Sequence, residues 1–400
     1  MPDRPNSAQI LEETENWGRA GRAPSRPGAA RRTAGRLAQV ATAVATCALS
    51  LTAATPAGAF PVPTFLAQFH TVTTLSSTVP ANGDVNPYGI VNVPQSIGDL
   101  VQGDTLVSNF NASSNLQGTG TTIVQISPSG QQSLFAQLSG SLPGPCPGGV
   151  GLTTALTVLA GGFVVAGSLP VTDNGTGMPE AGCLIVLNRF GVPIETWSGG
   201  AINGPWDMTA LQLPGLVELF VTNVLNGTVA AGGNVADQGT VARLIVALPR
   251  GGEPILVNST VIATGFAEQL NSSALVLGPT GVALGLDGTL YVADTVNNRI
   301  DEVPAAVLRV RPVAGGGETL SAGGSLSAPL GLVVAPNGDI ITVNGGNGNA
   351  VEITPRGAQV DTVQIDPAGA GGDLFGLVIA PGAGGLLFVD DGDNTLKLFD

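Results

Sequence analysis

The chain has 400 residues, of which 43% are hydrophobic and only 11% charged, with 58 Gly and 29 Pro. That balance is too apolar for a disordered chain and too rich in glycine for a helical bundle, and because Gly and Pro punctuate apolar runs they read as the turns of a β protein. The net charge of −14 argues against nucleic acid and anionic lipid as partners, since both need clustered Lys and Arg.

Residues 1–59 differ from the rest. Seven Arg (4, 19, 22, 26, 31, 32 and 36) precede an Ala-rich apolar stretch, Leu37 to Ala54, and Ala57-Gly58-Ala59 supplies the small-x-small pattern that a signal peptidase cuts. The expectation is an export signal with the mature chain starting at Phe60, secreted or periplasmic, with no membrane insertion after cleavage. The apolar stretch is too short to span a bilayer. Arg31-Arg32 leaves the twin-arginine route open beside ordinary export, and Val44-Ala45-Thr46-Cys47 is a poor lipoprotein box because Thr precedes the Cys. The remainder keeps eight basic and 25 acidic residues, a formal charge of −17.

From Phe60 the chain reads as one domain of repeated β units. Phe65-Leu-Ala-Gln-Phe69 predicts a strand within residues 64–72, which also hold the only histidine, His70. Units then follow near 86–138, 150–190, 204–258, 278–312, 328–365 and 374–400. The first has Pro87-Tyr-Gly-Ile, Thr105 to Asn109, Thr122 to Ile126, and Leu134-Phe-Ala-Gln-Leu138 as its outer strand. The second carries Thr154 to Val158, Phe163 to Ser168, and Cys183 to Leu187; the third, Pro205-Trp-Asp-Met, Leu219 to Asn223, and Ala242 to Val246.

Only Cys146 and Cys183 survive removal of the leader. In an oxidising compartment they pair naturally, and closing a loop of about 38 residues contributes about 4 kcal/mol in the chain-entropy model. Two buried free thiols are the alternative.

The fourth unit is the clearest. Val282 to Leu284 and Leu290 to Ala293 are strands joined through Asp287-Gly288, Asp294 opens a polar loop, and Arg299 to Val303 is a third strand. The same order returns at Ala328 to Asn344 with Asn349 to Ile353, and at Phe375 to Pro381 with Leu386 to Asp390 and Asn394 to Phe399. This pattern of Pro-x-Gly, Asp-Gly or Asn-Gly, Tyr-Val-x-Asp and Asn-x-Arg-Ile resembles the NHL repeat of secreted, bacterial-type proteins. The resemblance covers most of residues 64–400, with specific motifs in units four to six only.

The resemblance implies an all-β, six-bladed β-propeller, a monomer of four-stranded blades. Because the chain stops after the third strand of unit six, the strand in residues 64–72 is expected to complete that blade and protect its edge. An irregular β-solenoid or a pair of sandwiches is the competing architecture.

In such a ring two sets of positions share one face. Tyr88, Thr154, Trp206, Thr280, Leu330 and Phe375 open the inner strands; Asn109, Ser168, Asn223, Asp294, Asn344 and Asp390 end the second strands. Tyr88, Trp206 and Phe375 predict either a stacking platform for a ligand or packing between blades. If they form a platform, removing Trp206 should leave stability nearly unchanged. Asp207 stands where Gly89, Gly281, Gly331 and Gly376 stand elsewhere, and reads as a ligand-facing carboxylate or as a turn cap. Asn109, Asn223, Asp294, Asn344 and Asp390 are weak candidates for Ca²⁺ and otherwise ordinary loop residues. Asp390-Asp391-Gly392-Asp393 lacks the spacing of an EF-hand loop.

Catalytic six-bladed relatives such as streptogramin lyase, the gluconolactonases and the paraoxonases use His or a metal cage of Glu, Asn and Asp. With His70 outside the inner face, no catalytic residue and no cofactor is assigned. The sequence expectation is a module that binds a small molecule, glycan or protein, with a calcium-type lactonase, esterase or lyase as the alternative.

Overall fold

The computed structural model describes residues 63–138, 141–368 and 373–400; the expected leader, Cys47 and Phe60 lie outside them. After a 3-10 turn at Leu66–Gln68 comes β1 (Val72–Ser77), followed by six antiparallel sheets. Blade 1 is β2 (Val85–Asn92), β3 (Thr105–Asn111), β4 (Thr122–Ile126) and β5 (Gln132–Gln137). Blade 2 is β6 (Leu152–Leu159), β7 (Phe163–Ser168), β8 (Cys183–Leu187) and β9 (Pro193–Trp197). Blade 3 is β10 (Pro205–Leu213), β11 (Leu216–Asn223), β12 (Ala236–Ala247) and β13 (Ile255–Asn271), extended by β14 (Leu275–Leu277). Blade 4 is β15 (Pro279–Leu284), β16 (Leu290–Asp294), β17 (Arg299–Val303) and β18 (Glu318–Ala322). Blade 5 is β19 (Pro329–Val334), β20 (Ile340–Asn344), β21 (Asn349–Ile353) and β22 (Gln359–Gln364). Blade 6 is β23 (Leu374–Ile379), β24 (Leu386–Asp390), β25 (Thr395–Phe399) and β1.

The inner strands pack in cyclic order, β2 on β6, β10, β15, β19 and β23, and β23 returns to β2. The molecule is a six-bladed β-propeller.

Burial explains which strands the sequence announces. Middle strands such as β8 (CLIVL) and β24 (LLFVD) are buried along their whole length, because both faces of a blade pack against neighbours, so they read as unbroken apolar runs. Outer strands face water on one side; β22 alternates half-buried and exposed positions.

Ring closure occurs as expected, but through a different segment. Phe65 to Phe69 is not a strand: Phe65 and Leu66 are buried beneath blades 5 and 6, and their N–H groups donate to the Glu352 carboxylate at 2.7 and 2.8 Å. Those bonds hold the segment in a turn. The closing strand is β1, antiparallel to β25 with Val72 opposite Phe399. It is mostly exposed, so it lacks the apolar signal that drew attention to residues 65–69. His70 is exposed between the turn and β1, and its N–H donates to the carbonyl of Asp400 at 2.9 Å.

Blade 3 is larger than its sequence pattern suggests. Its outer strand runs to Asn271, and the turn into β14 carries apolar residues over the channel end, where Ala274 and Val276 are buried. The Cys146–Cys183 disulfide is present, with Cα atoms 5.0 Å apart. It ties the segment between blades 1 and 2 to the start of β8.

Candidate functional site

Each inner strand enters the channel at the same point and carries a bulge there, between Pro87 and Gly89, Pro205 and Met208, and Leu374 and Leu377 among others. The bulge brings successive blades into close approach. A Cβ on Gly281 would lie 2.2 Å from the Leu330 carbonyl oxygen, and one on Gly331 would lie 2.0 Å from that of Phe375, which is why glycine recurs at this position.

Tyr88, Trp206 and Phe375 do converge, but not as an open platform. Tyr88 stacks on Phe375 with ring centroids 3.7 Å apart, lies 4.5 Å from Phe110, and reaches Trp206, two blades away, at 6.0 Å. All four are buried, with Leu330, Ala274 and Val276 in the same cluster. Their faces are occupied by one another, so they plug the channel where the inner strands begin. Thr154 and Thr280, the remaining entry residues, are buried and hydrogen-bond to the backbone of the next inner strand, at Trp206 and Leu330. Burial pushes the Tyr88 hydroxyl well above its ordinary pKa, and Asp391 adds to the shift.

Beyond the plug the channel is a cavity of about 400 Å³ lined by residues of all six inner strands, reaching Pro94, Val158, Gln212, Leu284, Val334 and Val378 near the hairpin turns. Exposure rises along that direction, from buried Tyr88 and Trp206 to exposed Pro94 and Gln212. Access is therefore from the face opposite the plug. At the rim Gln212 links blades 3 and 2, donating to Val158 O at 2.9 Å and accepting from Ala160 N at 2.8 Å.

Asp207 is the only ionisable side chain among the described residues lining this cavity. Its Oδ2 accepts from the Val282 N–H of blade 4 at 3.1 Å, and its Oδ1 from the Met208 N–H at 2.8 Å. Burial raises its pKa to about 7 despite both bonds, because desolvating the charged carboxylate outweighs two neutral donors. A partly lumen-accessible carboxyl poised near neutrality can give or take a proton. Thr157 and Thr209 line the same cavity; sequence reasoning passed over them because the repeat grammar marks loops, not lumen positions.

The second set of residues ends up within individual blades. Asn109 donates to Thr78 O and Thr122 Oγ1, Ser168 donates to Gly149 O, and Asn223 accepts from Asn203 N. Asp294 pairs with Arg299 at 2.9 Å, Asn344 donates to Ser325 O, and Asp390 pairs with Lys397 at 2.5 Å. Each is bonded in its own neighbourhood, although Asn109 Oδ1, Asp294 Oδ1 and Asn344 Oδ1 are buried without a hydrogen-bond partner. Within Asp390 to Asp393, the Asp391 carboxyl is pushed up to about 8 by burial and by Asp373 and Asp390. Among the described residues no group of three or more His, Cys, Asp and Glu is placed to hold a metal ion.

No protein-family model and no curated relative matches the chain. Solved structures do match. A gluconolactonase from Xanthomonas campestris is 14% identical over 82% of this chain and 88% of that chain, with a TM-score of 0.51. A luciferin-regenerating enzyme is 13% identical over 82% and 94%, also at 0.51, and a streptogramin B lyase is 15% identical over 82% and 97%, at 0.46. The likeness is one of fold.

Proposed function

We propose that this propeller acts on a small molecule held in its central channel, and that Asp207 is the acid–base group of an ester- or lactone-opening reaction. The observation that carries the reading is the placement of one carboxyl with a pKa of about 7 as the sole ionisable side chain among the described residues lining a cavity of about 400 Å³, a volume suited to a small organic ligand. The gluconolactonase among the fold neighbours supports this class of reaction. Ionised Asp207 accepts a proton from water as the water oxygen attacks the carbonyl carbon; the acyl–oxygen bond then breaks, and the proton passes to the departing alkoxide.

A panel of aliphatic γ- and δ-lactones and short esters, followed by proton release, tests the reading. Expected are turnover whose rate rises through a pH midpoint near 7 and a loss of about 100-fold in Asp207→Asn, the usual worth of a general base. Turnover unchanged in that variant would remove Asp207 from the mechanism. A second reading, binding without turnover, is favoured by the absence of another ionisable group in the lining; ligand capture without product would select it.

The repeat grammar of blades 4 to 6 supports an NHL-type origin, and the arginine-rich leader ending at Ala59 supports export. Intact-mass measurement of exported protein should give Phe60 as the first residue, and a lipidated Cys47 would overturn that assignment.

A further inference from the structure

The plugged face carries a second pocket, separate from the channel. It measures about 410 Å³ and lies between three blades: Asn86 near the start of β2, Asn111 at the end of β3 with Asn115 to Gln117 beyond it, Val171, Gly175 and Gly177 of blade 2, and Ser272 and Ser273 in the turn before β14. Gln117 binds the parts together, its Nε2 donating to Ser273 O at 2.7 Å and Ser272 O at 3.2 Å.

The lining has an unusual chemistry for so acidic a chain. None of its residues is ionisable, although the sequence beyond residue 59 carries a formal charge of −17. Its polar atoms are carboxamides and hydroxyls. Asn111 is 1% exposed; its Nδ2 is spent on Asn115 Oδ1 at 2.8 Å, while its Oδ1 is buried without a hydrogen-bond partner. The polar groups that reach the pocket are the half-buried or exposed carboxamides of Asn86, Asn115 and Gln117 and the hydroxyls of Ser272 and Ser273. Leu116, Val171 and Leu275 add apolar surface beside these groups.

We propose that this pocket is a binding site for a neutral sugar unit. A carboxamide presents a donor and an acceptor side by side, which matches hydroxyl groups that do both, and the aliphatic residues suit the C–H face of a pyranose ring. An anionic ligand would find no counter-charge among these lining residues. The site is independent of the Asp207 chemistry, because the two open on opposite faces.

Saturation-transfer NMR on the purified chain, with the methyl glycosides of glucose, galactose and mannose, tests this. The methyl glucuronide serves as the charged comparator and N-acetylalanine methylamide as the peptide comparator. At least one neutral glycoside should bind, and more tightly than either comparator. Asn86→Gly, which keeps the positive φ of 59° accessible, and Ser273→Ala should each weaken it about tenfold, the worth of one lost hydrogen bond. Asp207→Asn should leave it unchanged. Binding of none of the three glycosides, preference for the glucuronide or the peptide mimic, or affinity unaltered in both pocket variants would overturn the proposal.

Discussion

Asp207 shows how one residue can depart from a repeat and create chemistry. Where the equivalent glycines let neighbouring backbones touch, blade 3 sets a carboxyl against the Val282 N–H of blade 4. The sequence displayed this as a break in a glycine pattern, so Asp207 was legible before the fold was known. Its energetic sign follows from the raised pKa. The protonated form is favoured in the folded state, so its contribution to stability is full below the unfolded value of 3.8 and is lost as pH rises toward about 7. Asp207→Asn keeps an acceptor for Val282 and cannot ionise. Thermal melts should therefore show the variant gaining on the parent between pH 4 and 8, and no gain at pH 8 would mean that the carboxyl is well solvated. Trp206 was legible only in part. Its position at the channel entry could be read, but whether bulky rings from different blades fill that opening depends on the channel's width, which no local pattern encodes. At 1% exposure within the plug, Trp206→Ala should cost about 3–5 kcal/mol in urea unfolding, whereas a loss under about 1 kcal/mol would restore the open-platform reading.

At the scale of elements, legibility followed burial. Fully buried β8, β16 and β24 were found within a residue of their limits, since stacking between blades leaves them no polar face. The exposed β1 was displaced, and the third unit was ended near residue 258, short of the close of β13 at Asn271. Their polar positions resemble loop, and their pairing is decided by distant partners such as β25 and β12. The cysteine pair was readable because only two cysteines lie beyond residue 59 and both belong to the neighbourhood of one blade. Its Cys183 end is completely buried, in register with Ser168, so the crosslink anchors an irregular segment to a central strand. Replacing both cysteines by serine should lower stability in denaturant titration by about 4 kcal/mol, the chain-entropy value for a loop of this length. A reductant should do the same to the parent protein and nothing to the variant.

For the whole molecule, the decisive contact is the one between the two ends of the described chain. Five blades are built from consecutive strands, while blade 6 takes its outer strand from β1. The ring is thus held by hydrogen bonds and packing where the other blades have covalent continuity. The entering segment does more than cover the edge of β25. Phe65 and Leu66 are at 4% and 0% exposure, and their N–H groups satisfy the carboxylate of Glu352, which is itself fully buried. Removing residues 61–78 would expose an unpaired strand edge, empty part of the packing between blades 5 and 6, and leave a buried carboxylate without two of its donors, a loss of several kcal/mol. The shortened chain should therefore lose its single cooperative unfolding transition and scatter light through edge-to-edge association. Glu352→Gln in the full chain separates the causes: it preserves β1 and an acceptor while removing the charge, and should lower the unfolding midpoint without promoting association. A shortened chain that unfolds at the parent's midpoint and stays monomeric would show that the six blades close without their terminal strand.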